Sequence, residues 1–368
     1  MPAPGYDLSS IATFTCVSLC TAASVLAQPA PSLEALPFAP RTYLSPRVAT
    51  PLIIDGRLDE GAWARAPWTE RFVDIDGVRP VPLATRAKML WDDRFFYIAA
   101  ELEEPDLWAT LTERDAIIFY DNDFEVFIDP DGDTHAYYEL EVNALGTAWD
   151  LLLARPYRDG GPALHAWDIA GLQVGVQVRG TLNQPGDRDQ GWTLELALPW
   201  EVLKEAAPGR RPPREGERWR VNFSRVQWQL DVKDGAYVKR LHPSTGKPHP
   251  EDNWVWSPQG AINMHMPERW GFVEFAGTTA ARDTAVDRNE HVKWALRRLY
   301  YRQQAHRRTH GRYASSLETL DAANVSVDGL EFRPTLQVTD NLFEIAAPGF
   351  DGVVLRIRHD GKAWVDEK

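Results

Sequence analysis

The sequence predicts a mainly β protein, an antiparallel β-sandwich followed by a small α+β domain. Three observations carry this expectation. From about Val48 to Phe275, short apolar alternations recur between turn signals, and few long helical periods interrupt them. After Gly277 the period changes, and Val292, Ala295, Leu296, Leu299 and Tyr300 fall on the stripe of an amphipathic helix. A chain of 368 residues is also long enough to build more than one self-sufficient core.

The first element is a segment to be set aside before fold reasoning. No charged side chain occurs from Leu8 to Leu33, and the apolar run Ile11 to Leu26 ends in Val25-Leu26-Ala27, a small-x-small cleavage pattern. Residues 1–27 therefore read as a signal peptide cut after Ala27, and the protein is expected in a periplasmic or extracellular space. The front end departs from the pattern, since it lacks Lys and Arg and carries Asp7. A membrane anchor is the alternative, but Thr13, Thr15, Ser18, Thr21 and Ser24 dilute a run that barely reaches the roughly 20 apolar residues of a span. Cys16 and Cys20 both lie in this segment, so the mature chain would have no disulfide, thiolate nucleophile or Cys-ligated zinc.

Residues 28–47 are rich in Pro and Ala, have no period, and read as a linker. The sandwich is expected at 48–277. Ala84 to Trp91 and Phe95 to Leu102 flank the turn Asp92-Asp93-Arg94, while Asp123 to Asp129 and Tyr137 to Asn143 flank Pro130-Asp131-Gly132-Asp133. Leu172 to Arg179, Trp192 to Leu198, Trp219 to Trp228 and Gly271 to Phe275 complete the main strands. At 282–368 the helix Val286 to His310 should be followed by a short second helix, Tyr313 to Leu320. Small strands are expected at Leu330–Phe332, Leu342–Ala346, Val353–His359 and Ala363–Val365. The other face of the long helix carries Lys293, Arg297, Arg298, Arg302, Arg307 and Arg308, which reads as a solvated face, with an anionic ligand as the alternative.

Composition narrows the function. A formal net charge of −13 argues against a nonspecific grip on nucleic acid. Fifteen Trp tilt the reading towards binding flat apolar rings, such as the C–H face of a pyranose, although most indoles in any chain fill the core. Tyr120, Trp254, Trp256 and Trp270 lie on or beside expected loops. The acids Asp121, Asp123, Asp129 and Asp131 offer hard oxygen donors suited to calcium. An EF-hand starting at Asp129 fails, because position six is Thr134 and position twelve is Leu140, and an Asp-Gly turn explains the second cluster as well. Glu139 and Glu141 share a strand face at roughly 7 Å, a separation compatible with an inverting glycosidase. Among the common catalytic signatures, Gly-x-Ser-x-Gly, His-Glu-x-x-His, Gly-x-Gly-x-x-Gly and a phosphate loop are all missing.

Several runs resemble family 9 carbohydrate-binding modules and their DOMON-like relatives: Ile54-Asp55-Gly56-Arg57-Leu58-Asp59-Glu60 with Trp63, Leu90-Trp91-Asp92-Asp93, Asp123-Phe124-Glu125-Val126-Phe127-Ile128-Asp129, Tyr138 to Asn143, Trp192-Thr193-Leu194-Glu195 and Glu268-Arg269-Trp270-Gly271. The resemblance spans about Val48 to Phe275. It implies a DOMON-like sandwich, an exported polysaccharide-binding protein and often structural calcium. It further implies a sugar clamped between two tryptophans, at whose positions this chain has Phe119 or Tyr120 and Met264-His265-Met266. Glu125 and Asn143 match polar positions of that site, and Glu141 stands where such modules can carry Arg. The ligand-binding candidates are therefore Phe119, Tyr120, Glu125, Asn143, Trp256, Met264 and His265. Some DOMON-like sandwiches hold haem through Met and His, so Met89 and His265 form an alternative pair. The C-terminal unit, Tyr300 to Leu317, resembles the helix and following turn of pilin and pseudopilin heads, a likeness of shape only. The expectation is an exported protein that binds a saccharide or polysaccharide without catalysis and assists polysaccharide breakdown. A haem-bound electron carrier and a hydrolytic domain are the alternatives.

Overall fold

The computed structural model describes residues 33–277 and 285–366, and the expected signal peptide lies outside them. The strands of the sandwich are β1 Thr42–Ser45, β2 Val73–Asp74, β3 Thr85–Trp91, β4 Phe95–Glu103, β5 Asp123–Asp129, β6 Tyr137–Asn143, β7 Ala148–Leu153, β8 Ala163–Leu164, β9 Gln173–Arg179, β10 Gly191–Pro199, β11 Arg218–Gln227, β12 Leu230–Lys233, β13 Ala236–Lys239, β14 Asp252–Val255 and β15 Gly271–Phe275. One sheet runs β1-β15-β11-β5-β6-β7-β8, with β14 joining β11 to β2, and the facing sheet runs β3-β4-β10-β9. β12 and β13 form a separate hairpin. All pairings are antiparallel except that of β1 with β15.

Alternation along the strands builds the layer between the sheets. Phe124, Val126 and Ile128 of β5, Tyr138, Leu140 and Val142 of β6, and Trp219, Val221 and Phe223 of β11 pack against Met89, Ile98, Leu194 and Leu196 of the facing sheet. The predicted Asp92-Asp93-Arg94 turn forms as read. Asp92 accepts from the backbone N–H groups of Arg94 and Phe95, both at 2.7 Å, and from the Tyr97 hydroxyl at 2.8 Å.

The run that opens the sandwich sequence closes the far side of the smaller sheet. Buried Glu195 of β10 accepts from Asp55 N, Gly56 N and Trp63 Nε1 at 3.0, 2.8 and 2.6 Å. Gly56 has φ +86°, and a Cβ there would lie 2.5 Å from the carbonyl carbon of Val176, so only glycine fits.

Two expectations are corrected in the flanking segments. Thr42–Ser45, within the stretch read as a linker, is a strand whose Tyr43 hydroxyl accepts from Met89 N at 3.1 Å. Four residues are too few to display a period, which is why composition alone marked them as linker. Leu33 and Phe38 pack against the C-terminal core, with Phe38 stacked on Trp294 at 5.5 Å.

The C-terminal unit consists of the helix Arg288–His310 and an antiparallel sheet of β16 Thr335–Val338, β17 Phe343–Pro348, β18 Val354–Arg358 and β19 Ala363–Asp366. Asp287 caps the helix through Asn289 N at 2.7 Å, and Gly311, left-handed at φ 73°, ends it. The expected second helix at 313–320 is a series of turns instead. Gln303 explains this, since its side chain donates to Ala314 O at 3.1 Å and accepts from Ala314 N at 2.8 Å, drawing the backbone away from helical pairing. The basic side of the long helix is largely engaged within the chain. Arg297 donates to Gly361 O and Thr134 Oγ1, Lys293 pairs with Glu290, and Arg307 reaches the Tyr313 hydroxyl. The unit docks on the sandwich through Lys362–Asp133 at 2.6 Å, Arg220–Glu290 at 2.5 Å, Ala363 N to Asp133 O at 3.0 Å, and the Tyr301 hydroxyl on Glu268. Among the described residues no helix is long and apolar enough to cross a membrane.

Candidate functional site

The outer face of the larger sheet is unusual because it buries acids. On β5 the residues turned away from the sandwich core are Asp123, Glu125, Phe127 and Asp129, and on β6 they are Tyr137, Glu139, Glu141 and Asn143, all buried. Register places Glu125 opposite Glu141, Phe127 opposite Glu139, and Glu141 opposite Trp149 of β7. An apolar cover of Ile118, Met264 and Trp270 packs with Phe127, Tyr137 and Trp149 on this face. The loop carrying Met264 is held in place by Trp270 Nε1, which donates to Met264 O at 2.9 Å.

Between this cover and the sheet lies a cleft of about 450 Å³. Phe119, Trp149, Tyr157, Ile262 and Met264 give it apolar walls, and Glu125, Glu139, Glu141, Glu251, Asn253 and His265 give it polar ones. Phe119 N donates to Glu141 at 2.8 Å, tying the aromatic wall to the floor. The Tyr137 hydroxyl contacts His265 Nδ1 at 3.0 Å. Burial pushes Asp123, Glu139 and Glu141 well above the usual carboxyl range, and the Glu125 charge adds to the effect in each. Burial likewise raises Glu125 to about 7. Burial, helped by the Arg158 charge, lowers His265 to about 4, so its ring is neutral at physiological pH. The cleft thus offers aromatic faces, neutral imidazole and carboxyl groups that donate or accept according to protonation.

Of the sequence-predicted ligand residues, Phe119, Glu125, Met264 and His265 come together here. Tyr120 stands half-exposed beside the site, where Lys239 Nζ lies 5.3 Å from its ring. Asn143 and Trp256 are elsewhere. Asn143 donates to Leu111 O and Asp121 and accepts from Leu145 N and Thr147 N, so its amide holds the turn after β6. Trp256 is fully buried in the sandwich core and donates to Glu70. Asp121 is engaged too, accepting from Thr110 N at 2.7 Å, Leu111 N at 2.8 Å and Asn143 at 3.0 Å. Asp129 accepts from Gly132 N and Thr134 N, which is the Asp-Gly turn reading, and Asp131 neighbours Asp133, which is paired with Lys362. Met89 lies between the sheets, whereas His265 packs on Phe127 and Tyr137 across the larger sheet, so the two cannot ligate one haem.

Sequence reasoning missed Trp149 and Tyr157. Trp149 lies on β7, a strand the sequence reading did not name, and Tyr157 opens a short 3-10 turn that carried no signal.

Sheet order and the covered acidic face define a two-sheet β-sandwich with a ligand-sized cleft on its outer side. Residues 54–212 match the family model described as "Carbohydrate family 9 binding domain-like". Of the remaining strands of the sandwich, β1 precedes the matched stretch and β11 to β15 follow it. Similar solved structures include a family 9 carbohydrate-binding module from Caldicellulosiruptor kristjanssonii in complex with cellotriose, at 14% identity and TM-score 0.41, covering 67% of this chain and 100% of that one. The same module in complex with glucose covers 66% and 100%, again at 14% identity and TM-score 0.41. A putative carbohydrate-binding protein from Bacteroides uniformis is 16% identical with TM-score 0.47, covering 64% of this chain and all of that one. No curated protein matches the chain.

Proposed function

We propose that the chain is an exported protein that binds a saccharide or polysaccharide in this cleft, without catalysis, and so assists polysaccharide breakdown. The observation that carries the reading is a coincidence of place. The stretch matching the family 9 binding-domain model contains β5, β6 and β7, the strands that build the aromatic and acidic cleft. Phe119, Trp149 and Tyr157 present ring faces to the apolar side of a sugar, while Glu125, Glu139, Glu141 and His265 address its hydroxyls. The volume of about 450 Å³ falls within the usual range for small-ligand sites and suits a terminal sugar or a short oligosaccharide.

A glycan array on the mature chain, followed by calorimetry on the selected glycan, tests this. Glu125→Ala should weaken binding by roughly five- to a hundred-fold, the cost of leaving a hydroxyl unpaired. Failure to retain any glycan, or release of reducing ends on incubation, sinks the reading.

A further inference from the structure

Three groups of carboxylates approach closely enough to share an ion: Asp115-Asp150-Asp168, Asp129-Asp131-Asp133 and Asp123-Glu125-Glu141. The first has a cation among its carboxylates, Arg114, which pairs with Asp150 and lies 2.9 Å from Asp168. The second is served by Lys362 on Asp133 and by the backbone donors to Asp129. The third differs on both counts. Among the described residues Asp123, Glu125 and Glu141 form no ion pair, and the charges acting on them are those of other acids, Asp121, Glu139 and Glu251 besides one another. Asp123 Oδ2 and Glu125 Oε2 are buried without a well-formed hydrogen bond, the Ser224 hydroxyl lying beside Glu125 across the strand pair, and Asp123 is 0% and Glu125 5% exposed.

An unpartnered, fully buried carboxylate oxygen is costly, and two of them in one carboxylate cluster invite a counter-ion. The three donor oxygens lie within 4.8 Å of one another, a spread that ligands about 2.4 Å from a common centre produce. All three are hard oxygens, with neither nitrogen nor sulfur in the set, which selects the calcium and magnesium class over zinc or copper. A monovalent ammonium would leave most of this charge uncompensated.

The geometry points to a divalent, calcium-class cation held by Asp123, Glu125 and Glu141, beneath the part of the cleft that Glu125 and Glu141 line. The ion's existence is independent of the saccharide reading. Only its further role, taking sugar hydroxyls as additional ligands, rests on that reading.

The test uses the full chain stripped with chelator and titrated with calcium chloride at pH 7.5. Calorimetry should show one binding event and the melting temperature should rise, because the ion binds only the folded state. Asp123→Asn and Glu141→Gln should each weaken calcium binding by roughly ten- to a hundred-fold or more, a loss that even outer-shell changes cause at metal sites. Asp131→Asn, in the cluster that Lys362 joins, should leave it unchanged. Should the first two variants fold poorly, terbium luminescence settles the location in the wild-type chain. Trp149, opposite Glu141, should sensitise bound terbium, calcium should quench the signal by displacement, and Trp149→Phe should remove most of it. Absence of heat and of a thermal shift with calcium, magnesium and manganese overturns the inference. So does calcium binding that survives Asp123→Asn, or stabilisation by glucosamine alone. Glycan retention that is equal with and without chelator, alongside a measured calcium site, removes the role in recognition and leaves the site. Calcium binding with no glycan retained leaves the metal site and removes the saccharide reading.

Discussion

Glu268 joins three parts of the chain at one carboxylate. It pairs with Arg158 at 2.9 Å and accepts from the Tyr301 hydroxyl of the long helix. Burial alone would raise its pKa, but Arg158 and Arg297 outweigh that and hold it at about 2. A depressed carboxylate contributes stability above its unfolded value, near 4.5, and loses that contribution as pH falls through about 2. Glu268→Gln should therefore cost about 3 kcal/mol at neutral pH, the low end for a buried pair losing one partner, since Arg158 keeps Asp159. Urea unfolding of both proteins from pH 7 to 2 checks this. The gap between them should close between pH 4.5 and 2, and a constant gap would exclude the carboxylate's charge as the cause. Gly56 gives a steric counterpart. Gly56→Ala places Cβ against the Val176 backbone at positive φ, and should cost about 1 to 3 kcal/mol in the same assay.

At the scale of elements, β5 and β6 have the bounds read from the sequence, because two strong alternations flank an Asp-Gly turn and nothing competes with them. Alternation also shows which residues of β5 and β6 share a face. Pattern alone cannot say that this face is covered, since the cover, residues 258–270, is irregular chain with no period. That is why Glu125 and Met264 were legible as candidates through resemblance while Trp149 and Tyr157 were not. It also explains Asn143, whose match to a polar position of family 9 modules suggested a ligand contact but whose amide is used up by the turn it precedes. Asn143→Ala should cost about 1 to 3 kcal/mol by leaving Asp121 and turn N–H groups short of partners. Its saccharide affinity, measured calorimetrically on folded protein, should stay within about twofold of wild type, the opposite outcome to Glu125→Ala. A large affinity loss with unchanged stability would return Asn143 to the binding site.

Across the whole molecule, the change of period after Gly277 suggests two separable cores, but the packing between them is dense. Met266, on the cover of the cleft, belongs to the hydrophobic cluster of the long helix, as do Leu33 and Phe38 from the amino-terminal side. A fragment spanning 48–277 loses β1, those contacts, the Tyr301 hydroxyl on Glu268 and the Lys362 partner of Asp133. It should melt below the full chain by roughly 5 °C or more, equivalent to about 2 kcal/mol for a unit of this size. Differential scanning calorimetry checks this, and equal melting temperatures would mean that the helix and its sheet add nothing to the sandwich.

The parallel pairing of β1 with β15 joins the first strand of the sandwich to its last. A polypeptide appears in time from its amino end, so Tyr43 exists long before Val273, the residue it will lie beside. Until then the opening segment has no edge to pair with, and its burial must wait for the most distant contact in the sandwich, the kind that chain-closure entropy makes slow. The strand that begins the fold in sequence is thereby among the last to be placed, and its docking reports that everything between has been made.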